Sequence, residues 1–392
     1  MLVRTETQLR DLCVRLREAG CFALDTEFAR EHSYYGRLGI VQVATDNLAA
    51  VIDPGAIGNL NPLMSLIVDP AVEKVVHAGK NDFLILFERS GQVPVNVFDT
   101  QIAGAFLGDA DEPSLKRLLS EYLGIELEKS ESVTDWTARP LTPAQIEYAL
   151  GDVRHLLELR RRLLAVLNER GRTAWVVEET AFLESPTTYQ RVEPLLAYRK
   201  VRKSADARDP QYLGVLRQLA AWRERAAEAE DVPPGRILND EALDLLARRR
   251  PARRAELDGQ RRLHSSVAAT HGHDIIAAIR AGLAEPVVEA PESVPPEDHA
   301  AVVPPVLLSV LESLLQLAAR RSQIAPRKIA KADEIRTAVQ MRHRPEIGSI
   351  RLMQGWRHEV FGRDVAEFLA GRTALTFDPV ASEIRAMPRP RE

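Results

Sequence analysis

In the first 180 residues of the chain, apolar residues recur with the spacing of a helix in some segments and with the spacing of a strand in others. Residues 5–19 repeat an apolar residue every three or four positions, which predicts an amphipathic helix that ends at Gly20. Three apolar runs follow at short intervals, and this close spacing favours an antiparallel meander. The three runs are "CFALDTEF", "LGIVQVAT" and "AAVIDP".

Strands and helices alternate after the meander. The pattern predicts a helix near "NPLMSLIVD", a strand at "KVVHAG", a helix at "DFLILFERS" and a strand at "VNVFDT", followed mostly by helices to about residue 170. A meander followed by such alternation indicates an α/β domain in which helices flank a mixed sheet. We place this domain at residues 1–184.

From about residue 185 onward, the apolar residues follow the spacing of helices and no longer that of strands. We predict one all-α helical bundle at residues 208–284 and a second helical domain of similar length at residues 306–385. The segment between them, residues 285–305, is rich in proline and acidic residues and is predicted to be a linker.

Composition narrows the class of protein. The chain has 392 residues, 45% of them hydrophobic, which is enough for well-packed cores. Its two cysteines, Cys13 and Cys21, form no CxxC motif, which argues against a disulfide scaffold or a structural zinc site. The sequence shows neither the apolar run of a signal peptide nor a membrane-spanning stretch. We therefore expect a cytoplasmic protein with no membrane partner, and a monomer.

Charge is distributed unevenly along the chain. Residues 1–180 hold 19 Lys and Arg against 27 Asp and Glu, whereas residues 199–280 hold 17 basic against 12 acidic residues. An acidic first domain is suited to cations and a basic second domain to polyanions. The basic residues cluster before and within the first helical domain, at Arg199, Lys200, Arg202, Lys203 and in "ARRRPARRAELDGQRR".

Two carboxylates interrupt the first apolar run. Asp25 and Glu27 are two positions apart on a predicted strand, so both side chains point to the same side. Buried carboxylates are costly unless a cation compensates them. An acidic pair with this spacing also occurs often by chance, so the pair by itself is weak evidence of a site.

Two further segments carry candidate acids. Tyr148 and Asp152 lie four residues apart on a predicted helix and share one face, although a tyrosine packed at the edge of the core would give the same pattern. Asp82 opens the helix after "VVHAG", where an acidic residue is also simply favourable for the helix terminus. His77, at the end of that strand, is interpreted as structural rather than as a ligand.

Together these residues would place four carboxylates around one cavity, where they would repel one another unless cations intervene. An all-carboxylate site without His or Cys suits Mg²⁺ or Mn²⁺. Two such ions can support phosphodiester hydrolysis, with one activating a water and the other stabilising the departing 3′ oxygen. Tyr148 would orient the water, because a phenol is a poor base at neutral pH.

The three motifs resemble a known family. "DTEF" (25–28), "HAGKND" (77–82) and "YALGD" (148–152) are similar to the exonuclease motifs of the DEDD 3′→5′ exonucleases, which have an RNase H-like fold. The tyrosine is typical of the DEDDy subgroup, and the sequence around the motifs resembles the ribonuclease D family. Residues from about 212 to 281 are similar to the helicase-and-RNase-D C-terminal (HRDC) domain, and the family would have a second HRDC-like domain near the C-terminus.

The resemblance implies a role for each motif residue. It implies that two divalent metal ions are bound by Asp25, Glu27, Asp82 and Asp152. It also implies that Tyr148 positions the water and that Thr26 and Phe28 contact the 3′-terminal nucleotide. The implied activity is trimming of the 3′ ends of tRNA precursors and other small structured RNAs, with release of 5′-nucleoside monophosphates. The basic helical domains would hold the RNA backbone without reading its sequence.

Two alternatives stay open at this point. The same metal chemistry serves a DNA-directed 3′→5′ exonuclease, and the choice of sugar depends on contacts to the 2′-OH that the sequence does not reveal. A non-catalytic nucleic-acid-binding protein could keep the fold as a scaffold, but it would be expected to lack one of the acids.

Overall fold

The computed structural model describes residues 1–29, 32–108, 110–126, 135–201, 209–260, 262–285, 287, 303–380 and 383–388. Most of the predicted linker at 285–305 lies outside the described residues, as do Arg202 and Lys203 of the predicted basic cluster.

The N-terminal domain is built on a six-stranded mixed sheet. Its strands are β1 (Leu2–Val3), β2 (Cys21–Ala29), β3 (Arg37–Thr45), β4 (Leu48–Ile52), β5 (Glu73–Val76) and β6 (Val97–Asp99). They lie in the order β1-β4-β3-β2-β5-β6, with β3 antiparallel to its neighbours β2 and β4 and the other pairs parallel. The predicted meander and mixed sheet are confirmed, and the sequence pattern missed only the short edge strand β1.

Helices cover both faces of this sheet. They are α1 (Glu6–Ala19), α2 (Asn61–Ile67), α3 (Lys80–Ser90), α4 (Thr100–Ala105), α5 (Leu115–Leu123), α6 (Pro143–Arg154), α7 (Leu156–Glu169) and α8 (Thr173–Thr180). Helix α1 shows why the pattern succeeds: Thr5 and Gln8 form a capping box at its start, and Gly20 ends it in the left-handed region at φ 66°. Its apolar stripe, Leu9, Leu12 and Leu16, is buried against the sheet.

Short 3₁₀ turns at Ala181–Glu184, Pro186–Thr188 and Pro194–Lys200 lead into the first helical domain. That domain consists of α9 (Pro210–Ala229), α10 (Pro234–Ile237), α11 (Asp240–Arg249) and α12 (Ser265–Ala284). Its apolar residues form a core of their own, centred on α9. Trp222 packs in this domain, with its ring edge-on to His271 at 5.6 Å.

The C-terminal region is helical and ends in a small sheet. Its helices are α13 (Pro305–Ser322), α14 (Pro326–Ile329), α15 (Ala332–Gln340), α16 (Gly355–Arg357) and α17 (Arg363–Leu369), with a π-helical turn at His358–Gly362. The strands β7 (Thr373–Asp378) and β8 (Glu383–Pro388) then pair as an antiparallel hairpin. The sequence analysis, which followed only helical spacing here, missed this hairpin.

The C-terminal region shares its core with the N-terminal domain. Trp356 is fully buried between Phe106, at 4.8 Å between ring centroids, and Trp175 of α8, at 5.9 Å. Glu179 of α8 accepts salt bridges from three cations of the C-terminal region: Lys328, Arg351 and Arg357. The C-terminal region is therefore packed firmly against the α4–α8 side of the N-terminal domain.

Across the part of the chain that is described, no helix combines the length and apolar character needed to cross a bilayer.

Candidate active site

Strand β2 supplies two of the predicted acids. Asp25 and Glu27 project from the same side of this strand, which lies between β3 and β5 in the sheet. The pairing of β2 with β3 shifts register between Glu27 and Phe28, a bulge of the kind that re-aims side chains beside active sites. Gly39 lies at this bulge, and a Cβ there would come within 2.9 Å of the Glu27 carbonyl oxygen.

The turn after β5 presents Asp82. Ala78 adopts a left-handed φ of 56°, and the Asp99 carboxylate accepts hydrogen bonds from the backbone N–H groups of Ala78 and Gly79 at 3.1 and 3.0 Å. Asp99 also caps α4 by accepting from the N–H of Gln101 at 2.8 Å. One buried carboxylate thus shapes the turn from which α3 starts, and Asp82 lies in the first turn of that helix.

Thr26 joins the first two motifs directly. Its backbone N–H and its hydroxyl both donate to Oδ1 of Asp82, at 3.0 and 2.5 Å. The two residues are only 5% and 7% exposed. The Thr26 hydroxyl therefore holds the Asp82 carboxylate beside strand β2.

Helix α6 brings the third motif to the sheet. Thr142 and Gln145 form a capping box at its start, and the helix packs across β2, β3 and β4. Tyr148 and Asp152 lie one turn apart on it, and the Tyr148 ring packs 5.8 Å from that of Trp136.

The segment before α6 is fastened by Arg139. Its guanidinium makes two hydrogen bonds to Asp53, at 2.9 and 2.7 Å, and one to the Gly39 carbonyl at 2.8 Å. It also donates to the Trp136 carbonyl at 2.9 Å. Asp53 directly follows β4, so this network fixes the third motif to the sheet that carries the first.

Three of the four predicted acids form a tight group. Carboxylate oxygens of Asp25, Glu27 and Asp152 lie within 4.8 Å of one another. Asp82 is not part of that triplet, but its carboxylate is hydrogen-bonded to Thr26, the residue between Asp25 and Glu27 on strand β2. The charges of both Asp82 and Asp152 raise the pKa of Asp25.

The electrostatics of this group are unfavourable without a cation. Burial, followed by the charges of Asp82, Asp152 and Glu27, raises the pKa of Asp25 well above its usual value. Burial and the charges of Asp152 and Asp82 raise the pKa of Glu27 to about 7. Burial raises the pKa values of Asp82 and Asp152 to about 6, although hydrogen bonds from Thr26 oppose the rise at Asp82.

Divalent cations fit this set of donors. All the converging ligand atoms are carboxylate oxygens, the donors that Mg²⁺ and Mn²⁺ prefer, and cations would relieve the mutual repulsion of the acids. His77 is the first residue of the second motif, but its Nδ1 pairs with the Thr100 hydroxyl at 3.0 Å. Burial lowers the pKa of His77 to about 4, so its ring is neutral at physiological pH.

The sequence analysis missed the residues that hold the motifs in place. Asp99, Arg139 and Asp53 lie outside the three sequence motifs, and each binds a residue that is distant along the chain. Asp99 stands in "VFDT" and offered a weak signal, since an acid that ends a strand and begins a helix often caps that helix.

Comparison with known proteins agrees with this geometry. A 3′–5′ exonuclease family model matches residues 1–168, and an HRDC domain model matches residues 213–279. The chain is 38% identical to ribonuclease D of Acidiphilium cryptum over 378 residues, 96% of this chain and 94% of that protein. It is 35% identical to ribonuclease D of Sphingobium indicum over 377 residues, 95% of each.

A solved structure shows the same architecture. Escherichia coli RNase D, an exoribonuclease involved in structured RNA processing, superposes with a TM-score of 0.80 at 29% identity. The match covers 95% of this chain and 98% of that one. From these likenesses along nearly its whole length, we conclude that the chain belongs to the ribonuclease D family.

Proposed function

We propose that this protein is a metal-dependent 3′→5′ exoribonuclease that trims structured RNAs, tRNA precursors among them, and releases 5′-nucleoside monophosphates. The observation that carries the proposal is the convergence of Asp25, Glu27 and Asp152 within 4.8 Å, with Asp82 beside them. The relatives named above are ribonucleases D, which favours RNA over DNA as the substrate.

In this proposal the four acids hold two divalent ions, Mg²⁺ or Mn²⁺. Asp25, Glu27 and Asp152 would be ligands from one converging set of carboxylates, and Asp82 would be a ligand from the position beside strand β2 where Thr26 holds it. When bound, the ions would supply an activated water and stabilise charge on the departing 3′ oxygen.

The chain's own residues would orient the reactants. Tyr148 is half-buried one helical turn before Asp152, where its hydroxyl can orient a water toward the scissile phosphate. Phe28 is half-buried just beyond the bulge, and we propose that its ring contacts the 3′-terminal base, a stacking contact worth about 1–3 kcal/mol. The Thr26 hydroxyl is engaged by Asp82, so any contact of Thr26 with the nucleotide would be made by its other atoms.

The remaining parts of the proposal concern the rest of the chain. The first helical domain, predicted at 208–284, and the C-terminal one, predicted at 306–385, would grip the body of the RNA. The exonuclease domain is predicted at 1–184. We further propose a monomer that works in the cytoplasm.

The test compares two variants of helix α6. Asp152→Asn removes a carboxylate of the converging group, whereas Glu147→Gln makes the same change at an exposed position that pairs with Arg154. The substrate is a 5′-labelled RNA hairpin with an unpaired 3′ tail, in Mg²⁺, with matched DNA as a second substrate.

We expect the wild type and Glu147→Gln to shorten the RNA one nucleotide at a time from the 3′ end. Asp152→Asn should lose about 10³-fold or more of this activity. Full activity in excess EDTA, an unaffected Asp152→Asn, or faster cleavage of the DNA would each overturn the proposal.

A further inference from the structure

The loop between β2 and β3 is fastened to the first helical domain. The backbone N–H groups of Tyr34 and Tyr35 both donate to Oδ1 of Asp231, at 3.1 and 3.2 Å. The other oxygen of Asp231 accepts from Arg37 at 3.3 Å. Asp231 lies two residues after the end of α9 and has a left-handed φ of 48°, which turns its carboxylate back toward this loop. Backbone donors fix the loop more closely than flexible side chains would.

Arg191 closes the contact from the other side. Its guanidinium lies 4.2 Å from the ring centroid of Tyr34 and 4.3 Å from that of Tyr35. The same guanidinium forms a salt bridge of 2.7 Å with Glu88, which is on α3. We call Tyr34, Tyr35, Arg191 and Asp231 the tyrosine clamp.

Two more contacts extend the same interface. The Tyr35 hydroxyl donates to Glu228 near the end of α9. Arg236 of α10 lies 2.9 Å from Nδ1 of His32 in the loop. The corner between α9 and α10 is thus the part of the helical domain that meets the loop.

The tyrosine clamp is linked to both elements that carry the first two motifs. Tyr34 and Tyr35 follow β2, which bears Asp25 and Glu27, along the chain, and Glu88 belongs to α3, whose first turn holds Asp82. The helical domain on the other side of the clamp bears exposed arginines at the end of α11 and just after it, Arg249, Arg253 and Arg254. These arginines form a basic surface of the kind that binds phosphates. The clamp therefore fixes the position of this surface relative to the clustered carboxylates of the candidate active site.

We propose that the tyrosine clamp is the specificity-determining contact that sets how closely this enzyme trims toward a stem. The inference rests on the proposed exoribonuclease function. If the helical domain holds the duplex while the 3′ end enters the carboxylate group, a fixed distance between the two requires a fixed number of unpaired nucleotides. Loosening the clamp lets that number vary without changing the chemistry at the phosphate.

The clamp variant is Asp231→Gly, which keeps the left-handed backbone and removes only the carboxylate. Arg191→Met is a second variant, which removes the charge between the two tyrosines but keeps an apolar side chain. The matched control is Asp258→Gly, the same change at an exposed turn of the same domain. Each full-length protein is given an RNA hairpin with a 3′ tail and, separately, a short unstructured RNA.

We expect the wild type and the control to stop on the hairpin at one dominant length. Both clamp variants should spread their stopping points over neighbouring lengths or shift them by at least one nucleotide. Cleavage of the short RNA should stay within about twofold of the wild type in all three variants.

The possible failures are distinguishable. Clamp variants that stop at the wild-type length would overturn the clamp proposal alone, and so would variants that lose activity on the short RNA, since the clamp would then act on the chemistry. A wild type that leaves both RNAs intact in Mg²⁺ would overturn the proposed function, and the clamp proposal with it.

Discussion

The four clustered carboxylates of Asp25, Glu27, Asp82 and Asp152 make the stability of the metal-free protein depend on pH, and the structure determines the direction of their contribution. The pKa of Glu27 is raised from 4.5 to about 7, and those of Asp82 and Asp152 from 3.8 to about 6. Between about pH 4 and pH 7 these carboxyls therefore bind more protons in the folded state than in the unfolded state, so their contribution to stability in EDTA falls as the pH rises through this window. His77, whose pKa is lowered to about 4, contributes in the opposite direction below about pH 6.5, so the carboxylate contribution is read from the difference between the wild type and Asp25→Asn.

The magnitude follows from the shifts. One pKa unit corresponds to 1.36 kcal/mol, so a shift of about two units at Asp82, which is almost fully buried, costs roughly 3 kcal/mol by pH 7. Glu27 and Asp152 are more exposed, and solvent screening reduces their share. For a domain of this size, a loss of about 3 kcal/mol lowers the melting temperature by roughly 6–12 °C.

The assay is thermal unfolding in EDTA at several pH values between 5 and 8, for the wild type and for Asp25→Asn. The variant removes the carboxylate whose pKa is raised by the charges of all three neighbouring acids. The melting temperature of the variant should therefore fall less than that of the wild type as the pH rises. At pH 8 the metal-free variant should be more stable than the metal-free wild type. Mg²⁺ or Mn²⁺ should raise the melting temperature of the wild type more at pH 8 than at pH 5, and should barely affect the variant.

A wild type whose melting temperature in EDTA is constant or rises from pH 5 to pH 8, in parallel with Asp25→Asn, would refute this reasoning. It would mean that the carboxylates do not repel one another in the folded protein.

Three further predictions concern the residues that hold the site together, each measured by urea denaturation. Arg139→Lys should lower the free energy of unfolding by about 2 kcal/mol, because Asp53 loses the guanidinium that binds both of its carboxylate oxygens. It should also lower exonuclease activity, because the third motif is held less firmly. An unchanged free energy of unfolding and unchanged activity would contradict this. Gly39→Ala should cost about 1–3 kcal/mol through the clash at the bulge, whereas Gly58→Ala, with open space around it, should be close to neutral; equal effects would argue against the clash. Trp356→Ala should cost about 3–5 kcal/mol and loosen the C-terminal region, and a loss under about 1 kcal/mol would show that the shared core is not packed as described.

Local patterns were sufficient to predict the strand and helices that carry the acids and the orientation of the acids on them. The two-residue period of a strand places Asp25 and Glu27 on one side, and the four-residue spacing of a helix places Tyr148 above Asp152. That the two pairs meet could not be derived from periodicity, because they lie on elements far apart along the chain. Their meeting was expected from the family resemblance.

The contacts that hold the motifs in place could not be predicted from the sequence for the same reason. Nothing in the pattern around Arg139 indicates that it binds Asp53, or that Asp231 receives the backbone of Tyr34. Such contacts depend on how distant segments are brought together. The C-terminal hairpin is a different case, because "LTFD" alternates apolar and polar residues as a strand does, and the sequence analysis followed helical spacing there instead.

The most direct test of the account is to locate bound ions in crystals of the protein soaked in Mn²⁺, by anomalous diffraction. The account predicts two peaks about 3.5–4 Å apart. One should be ligated by Asp25, Glu27 and Asp152, and the other by Asp25 together with Asp82, directly or through water. Crystals that show this ordered carboxylate group without any manganese bound to it would contradict the account.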